Sequence, residues 1–230
     1  MSEDFVAAVS GVGALVEPAR RALYLYAVGQ PEPVSREQAA AACELPLHSA
    51  KFHLDRLVEE GLLEVEYRRL SGRSGPGAGR PAKLYRRSDR EVTVSLPDRR
   101  YDLVGDVLAS AIDEATRDGT PVRDSVVAVA AARGRAMAAA STAASAPAAG
   151  AELDRTAEVL AEQGYEPHRD GDTVCLTNCP FDRLARDHVE LVCGMNLGLV
   201  SGVIDGLGCE AVSAVLEPEP GWCCVKVRGR

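Results

Sequence analysis

The chain has 230 residues, of which 26 are basic and 34 acidic, so its formal net charge at neutral pH is -8. With 46% hydrophobic and 26% charged residues, it can form a sizeable core, and its length suits two ordinary domains. No basic segment leads into an apolar run at the start, and no apolar stretch of about 18 residues lacks a charge or glycine. We therefore expect a cytoplasmic protein that neither enters nor crosses a membrane.

Three helices are predicted in the first 61 residues. Proline at the first position and apolar residues at helical spacing predict a helix over 18–29. Ser35 and Gln38 have the spacing of a capping box, which predicts a short alanine-rich helix over 36–43. An apolar stripe that glycine terminates predicts a third helix over 47–61.

The face of the third helix opposite its apolar stripe is rich in hydrogen-bond donors. Such donors suit base edges and phosphates in the major groove of DNA. Together with Ser35 at the start of the second helix, the predicted DNA contacts on the helices are His48, Ser49, Lys51, His53 and Arg56.

Two strands, 62–69 and 82–87, are predicted on either side of a glycine-rich turn. Between Glu66 and Arg90 the sequence has eight basic and two acidic residues, a local charge of +6 in an acidic protein. Concentrated positive charge of this kind indicates a phosphate-binding surface. The predicted contacts on this hairpin are Arg73, Arg80 and Lys83.

Three helices followed by a cationic hairpin are typical of a winged helix-turn-helix domain. The segment 45–63, LPLHSAKFHLDRLVEEGLL, resembles the recognition helix of the bacterial ArsR/DeoR-like regulators, and 71–85 is similar to their wing. We therefore predict a winged-helix DNA-binding domain over residues 1–97, with double-stranded operator DNA as its partner.

The middle of the chain, residues 98–147, is predicted to contain two apolar helices and an alanine-rich linker. Apolar residues alternate with polar ones over 92–96, just before this part, which predicts an extra strand that Pro97 ends. Helices are then expected over 101–119 and 124–139, packed either within the head or, as we prefer, as a homodimer seam that spaces two recognition helices about 34 Å apart. Ten alanines in residues 136–151 suggest a fraying helix end followed by a linker, with a boundary near residue 148.

The last part, residues 148–230, is predicted to be a small cysteine-rich α+β sensor domain, which makes the whole chain α+β. A helix is expected over 153–163 and strands over 165–169 and 173–177. A long helical segment then runs from about 181 to 206, and two further strands are expected over 211–216 and 222–227.

Six of the seven cysteines lie in this last part of the chain. In a cytoplasmic protein they should stay reduced, which favours metal or redox chemistry over disulfides. Because Cys179, Cys193 and the Cys223–Cys224 pair are dispersed rather than arranged as close zinc-type pairs, they favour an iron-sulfur cluster. The remaining thiols are interpreted as small buried hydrophobes: Cys43, Cys175 and Cys209.

A shared site for Cys179 and Cys193 constrains the helix between them. Ten residues of unbroken helix, from Arg183 to Cys193, would span about 15 Å and separate the two thiols. We therefore predict a break near 187–189, which would place Cys193 close to a helix start whose dipole favours the thiolate.

The third ligand is chosen from the alternation of side chains along the last predicted strand. Cys223 shares a face with Val225 and Val227, so it is the predicted ligand and Cys224 the alternative. For the fourth position we consider His188, Asp182, a small thiol or water.

The cysteine motifs resemble the sensor domain of SufR-type iron-sulfur repressors. The similarity rests on NCPF at 178–181, Leu184-Ala185, His188, LVCGMN at 191–196 and PGWCCV at 220–225. The resemblance implies a 4Fe-4S or 2Fe-2S cluster in the tail and a dimeric repressor of iron-sulfur cluster assembly genes.

The sequence thus predicts a homodimeric, non-enzymatic transcriptional repressor that senses iron-sulfur or redox status. One alternative is a winged-helix regulator that senses a small organic ligand or zinc. The other is a thiol oxidoreductase that uses Cys223 and Cys224, although no phosphate loop, Ser-His-Asp order or zinc-protease motif is visible.

Overall fold

The computed structural model describes residues 3–69, 81–141 and 152–230. They form two compact units, Met1–Val94 and Ser95–Arg230. The helices predicted over 98–147 belong to the second unit, so the expected boundary near residue 148 is wrong. The linker predicted in the second half of 136–151 lies outside the described residues.

The first unit is a helical domain with a small sheet. Its described elements, in chain order, are α1 (Glu3–Ala14), α2 (Pro18–Val28), β1 (Val34–Ser35), α3 (Arg36–Ala42), α4 (Leu47–Glu59), β2 (Leu63–Arg68) and β3 (Ala82–Arg87). The three helices and two strands predicted by the sequence are confirmed. Both α1 and β1 were missed.

Local sequence signals define the ends of these helices. Glu17 caps α2 by accepting a hydrogen bond from the backbone N–H of Arg20 at 2.7 Å, and Pro18 occupies the first helical position. The capping box is confirmed, because Ser35 Oγ accepts from Gln38 N at 3.1 Å and Gln38 Oε1 accepts from Ser35 N at 2.8 Å. Gly61 follows α4 with a φ of +71°, a conformation that favours glycine.

The sheet of the first unit has the strand order β1-β3-β2 and is antiparallel throughout. The strand predicted over 92–96 is wrong, since residues 88–100 form no strand. Val92 packs against the core of this unit, whereas Leu96 lies beyond the unit boundary and is 78% exposed. The alternating side chains therefore do not share one face.

The second unit combines five helices and four strands in its described residues. In chain order they are α5 (Tyr101–Asp118), α6 (Val122–Ala140), α7 (Glu152–Glu162), β4 (Pro167–Asp170), β5 (Thr173–Leu176), α8 (Asp182–Asp187), α9 (Val189–Gly206), β6 (Val212–Leu216) and β7 (Val225–Gly229). The antiparallel sheet has the order β4-β5-β7-β6. The α+β class is confirmed.

Helices α6 and α9 form the centre of the second unit and cross at very close range. A Cβ added to Gly202 would lie 2.1 Å from the carbonyl oxygen of Ala131, and one added to Gly134 would lie 2.1 Å from that of Leu199. The alanine-rich part of α6 is therefore packed against α9, with Ala138 fully buried, and does not fray as expected. Small side chains here permit close approach of the two backbones.

The predicted break in the long helical segment is confirmed. Helix α8 ends at Asp187, His188 leaves the helical conformation with φ -132° and ψ 50°, and α9 begins at Val189. Cys193 is the fifth residue of α9. By contrast, the last strand begins at Val225, so Cys223 and Cys224 precede it and the alternation used to choose between them does not apply.

Candidate nucleic-acid interface and thiol cluster

The outer face of α4 presents polar and apolar groups together. His48, Lys51 and Arg56 are exposed, as predicted, and Ser49 is half-buried. Phe52, which the sequence analysis did not select, lies among them with 64% of its surface exposed. An apolar ring on such a face can contact the methyl group of thymine in the major groove.

Two predicted DNA contacts face inward. The His53 side chain is only 16% exposed, its Nε2 lies 3.7 Å from the Glu17 carboxylate, and its Nδ1 is buried without a hydrogen-bond partner. Ser35 is buried as the cap of α3. The expectation that His53 lies on the outward face is wrong, because helical rotation carries it towards the start of α2.

Lys83 on the wing strand β3 is bound to α4 rather than free. Its Nζ lies 2.5 Å from Asp55 Oδ1, and the buried Tyr85 hydroxyl donates to the same oxygen at 2.9 Å. Burial alone would raise the pKa of Asp55, but the hydrogen bonds from Lys83 and Tyr85 outweigh it and lower the pKa. Asp55 thus links α4, the predicted recognition helix, to the wing strand β3 through two hydrogen bonds.

Other basic side chains of this unit are also paired with carboxylates. Arg86 contacts Glu64 at 2.5 Å, and Arg68 contacts Glu66 at 2.8 Å. Arg56 is paired with Glu59 and Glu60. Within the described part of the wing, Arg68, Lys83 and Arg86 are therefore each paired with a carboxylate. Arg73 and Arg80 lie outside the described residues.

Four sulfur atoms approach one another in the second unit, and we call these residues the thiol cluster: Cys179, Cys193, Cys223 and Cys224. The thiols of Cys179 and Cys223 interact as one hydrogen-bonded pair, and those of Cys193 and Cys224 interact as a second pair. Cys179 also interacts electrostatically with Cys193, as does Cys223 with Cys224, so the two pairs adjoin. Three segments distant in sequence meet here.

The thiols of the cluster have different acidities. The hydrogen bond with Cys223, helped by the backbone N–H of Phe181, lowers the pKa of Cys179 despite its burial. The same hydrogen bond, together with burial, raises the pKa of Cys223. Burial and Cys224 raise the pKa of Cys193 to about 12, so the expected stabilisation of its thiolate by the start of α9 is outweighed.

The other candidate ligands lie elsewhere. His188 is exposed in the break between α8 and α9. Cys209 is buried, and Cys43 and Cys175 are half-buried. Across residues 3–69, 81–141 and 152–230, no three His, Cys, Asp or Glu side chains are already placed to hold a metal ion. The thiol cluster is thus arranged as two adjoining pairs rather than as a preformed metal site.

A buried polar chain supports the thiol cluster from inside the unit. The Tyr165 hydroxyl donates to Asn196 Oδ1, and Asn196 Nδ2 donates to Cys223 Sγ at 3.3 Å. Asn196 is 1% exposed and lies in a largely apolar helix. A buried amide among apolar residues was the signal available in the sequence, since such a group must find partners.

The turn that carries Cys179 is held by side chains that the sequence analysis did not identify. Asn178 is buried and accepts a hydrogen bond from Arg99 at its side-chain oxygen. Arg99 also donates to the carbonyl oxygen of Cys179 at 3.1 Å. The segment before α5 is thereby bound to the turn beside the thiol cluster.

One described helix is long and apolar enough to cross a membrane by length and composition. It is α9, and more than half of it is buried within the second unit. Burial of this kind is typical of a central core helix.

Comparison with known proteins agrees with the fold of the first unit. Residues 15–66 match a helix-turn-helix domain family. Neither curated proteins nor solved structures gave a match to the chain. The matched segment covers α2 to α4 and most of β2, and a winged hairpin follows. These residues form a helix-turn-helix domain, and the chain is a DNA-binding transcriptional regulator.

Proposed function

We propose that this regulator represses transcription according to whether its thiol cluster holds an iron-sulfur cluster. The observation that carries the proposal is the approach of four thiols from three separate segments. Cysteines that serve only as small buried hydrophobes would have no reason to lie together in pairs.

The donor set fits an iron-sulfur cluster. Four thiolates are the usual ligands of both 4Fe-4S and 2Fe-2S centres. Cys179, Cys193 and Cys223 would hold the group, with Cys224 as fourth ligand in place of His188. Because the thiols are paired through hydrogen bonds, ligation requires loss of their protons and rotation of the side chains. When bound, the group would supply a redox-sensitive crosslink.

The crosslink would act on the protein by joining three segments that carry the cysteines. The turn at Cys179, the first turns of α9 and the segment before β7 would be joined at one point. Asn196 would keep donating to the sulfur of Cys223, and a hydrogen bond of this type tunes a thiolate ligand. We further propose that the protein acts in the cytoplasm as a homodimer on operator DNA, that it is not an enzyme, and that iron-sulfur assembly genes are among its targets.

Oxygen-free purification tests the cluster directly. We expect brown protein containing iron and acid-labile sulfide, and we expect Cys179→Ser, Cys193→Ser or Cys223→Ser to lose most of both. Cys175→Ser and Cys209→Ser serve as matched controls that should retain them. Colourless, iron-free wild-type protein with fully regulated DNA binding would contradict the proposal.

Four thiolates also suit structural zinc, which is the second candidate. Zinc would give a colourless protein with one metal ion per chain and no sulfide. Turnover of thiol substrates would instead favour the oxidoreductase alternative.

Phe52 is expected to read a thymine methyl group in the operator. Replacing the contacted thymine by uracil removes one methyl group from the interface. The lost burial is worth about 0.8 kcal/mol of binding free energy, which corresponds to about fourfold weaker binding. Operator fragments selected from random DNA, with uracil at one position at a time, provide the measurement. In Phe52→Ala, the uracil fragments should bind as well as the thymine fragments. An unchanged uracil effect in that variant would exclude the contact.

A further inference from the structure

The segment through which the chain enters the second unit is bound to the turn that carries Cys179. The second unit begins at Ser95, and Asp98 to Arg100 follow within its first residues. The backbone N–H of Arg100 donates to the carbonyl oxygen of Pro180 at 3.1 Å. A direct backbone link therefore joins this entry segment to the residue after Cys179.

Asn178 is the centre of the connection. Its amide nitrogen donates to the carbonyl oxygens of Asp98 at 3.1 Å and Gly164 at 2.7 Å, and its oxygen accepts from Arg99. Both ends of a buried side chain are thus occupied. An amide with all these hydrogen bonds fixes the position of the entry segment relative to the turn, because breaking any of the bonds leaves a buried polar group unpaired.

Arg99 completes the connection on the other side of the turn. The same guanidinium nitrogen that contacts Asn178 also donates to the carbonyl oxygen of Cys179 at 3.1 Å. A displacement of the Cys179 backbone must therefore move Arg99 or break this bond. Arg100 adds a further contact, to the side-chain oxygen of Gln163 at 3.1 Å.

We propose that Arg99 and Asn178 transmit the state of Cys179 to the segment that leads to the DNA-binding unit. The inference rests on the proposed function, since it requires that Cys179 change its bonding. Ligation would draw Cys179 towards its partner sulfurs, and the hydrogen bonds would carry that displacement to Asp98–Arg100, four to six residues after Val94. Coupling of this kind needs a contact that differs between the two states, and the Cys179 carbonyl provides it.

Arg99→Ala tests the transmission without touching a ligand. Operator affinity is measured for the protein with and without its cluster, together with iron and sulfide content. Arg123→Ala, which removes an exposed arginine paired with Glu190, is the matched control for charge. We expect Arg99→Ala to keep the wild-type iron content and the wild-type operator affinity of the cluster-free protein. The factor by which the cluster changes operator affinity should be at least about fivefold smaller than in the wild type.

Hydrogen exchange gives a readout independent of DNA. The amide of Arg100 should differ in protection between the two states of the wild type and of Arg123→Ala, and this difference should shrink in Arg99→Ala. Full cluster content with an unchanged affinity ratio would overturn the transmission role, and so would loss of the cluster from Arg99→Ala. Absence of iron from the wild type would instead show that the proposed function itself has failed.

Discussion

Replacing Gly202 by alanine is expected to destabilise the second unit by about 3 kcal/mol. The new methyl group would lie 2.1 Å from the carbonyl oxygen of Ala131, in the backbone of the facing helix. Neither helix can move aside without disturbing the core that surrounds them. Urea unfolding followed by the fluorescence of Trp222, the single tryptophan, reports on this unit.

Gly194 on the same helix provides the control. A Cβ added there meets nothing within 4 Å. Gly194→Ala should therefore leave stability unchanged or raise it by up to about 1 kcal/mol through helix propensity. Equal stability of the Gly202→Ala and Gly194→Ala proteins would show that the close crossing of α6 and α9 is wrong.

Replacing Asn196 by leucine is expected to cost about 2 kcal/mol, because the buried Tyr165 hydroxyl and the Cys223 thiol both lose a partner. Burial already raises the pKa of Tyr165, so the hydroxyl cannot relieve the loss by ionising. The free energy of unfolding, measured in urea on reduced, metal-free protein, is the appropriate quantity.

The double variant separates the hydrogen bond from general packing. If the unpaired hydroxyl causes the loss, adding Tyr165→Phe to Asn196→Leu should recover about 1 kcal/mol, since both polar groups are then removed. Additive losses from the two single changes would mean that their coupling is negligible.

Local signals in the sequence were sufficient for most of the helices and strands. Proline at the start of α2 and the Ser35 capping box lie within a few residues of the structure they specify. The break at His188 was predicted from a tertiary requirement instead, because an unbroken helix would have kept Cys179 and Cys193 apart. Helix α1 was missed although Ser2, Glu3 and Asp4 are typical of a helix start, and β1, at two residues, is too short to produce a pattern.

What could not be predicted depends on contacts between distant residues. Asp55 neutralises Lys83 from 28 positions away, so a charge count along the chain overstates the cationic character of the wing. Arg99 and Asn178 are separated by 79 positions, and no local pattern connects them. The alternation argument for Cys223 over Cys224 does not apply, because the chain there is irregular rather than extended in a strand.

The ion pairs of the first unit have a consequence for how the regulator searches a chromosome. Attraction to arbitrary duplex is governed by the number of counterions that free lysines and arginines displace from phosphates. Because Lys83, Arg68 and Arg86 already have carboxylate partners, these three residues should displace fewer counterions than unpaired ones would. At these three positions, tight binding to DNA would require the carboxylate partner to be exchanged for a phosphate, so they favour release from arbitrary sequence over retention on it.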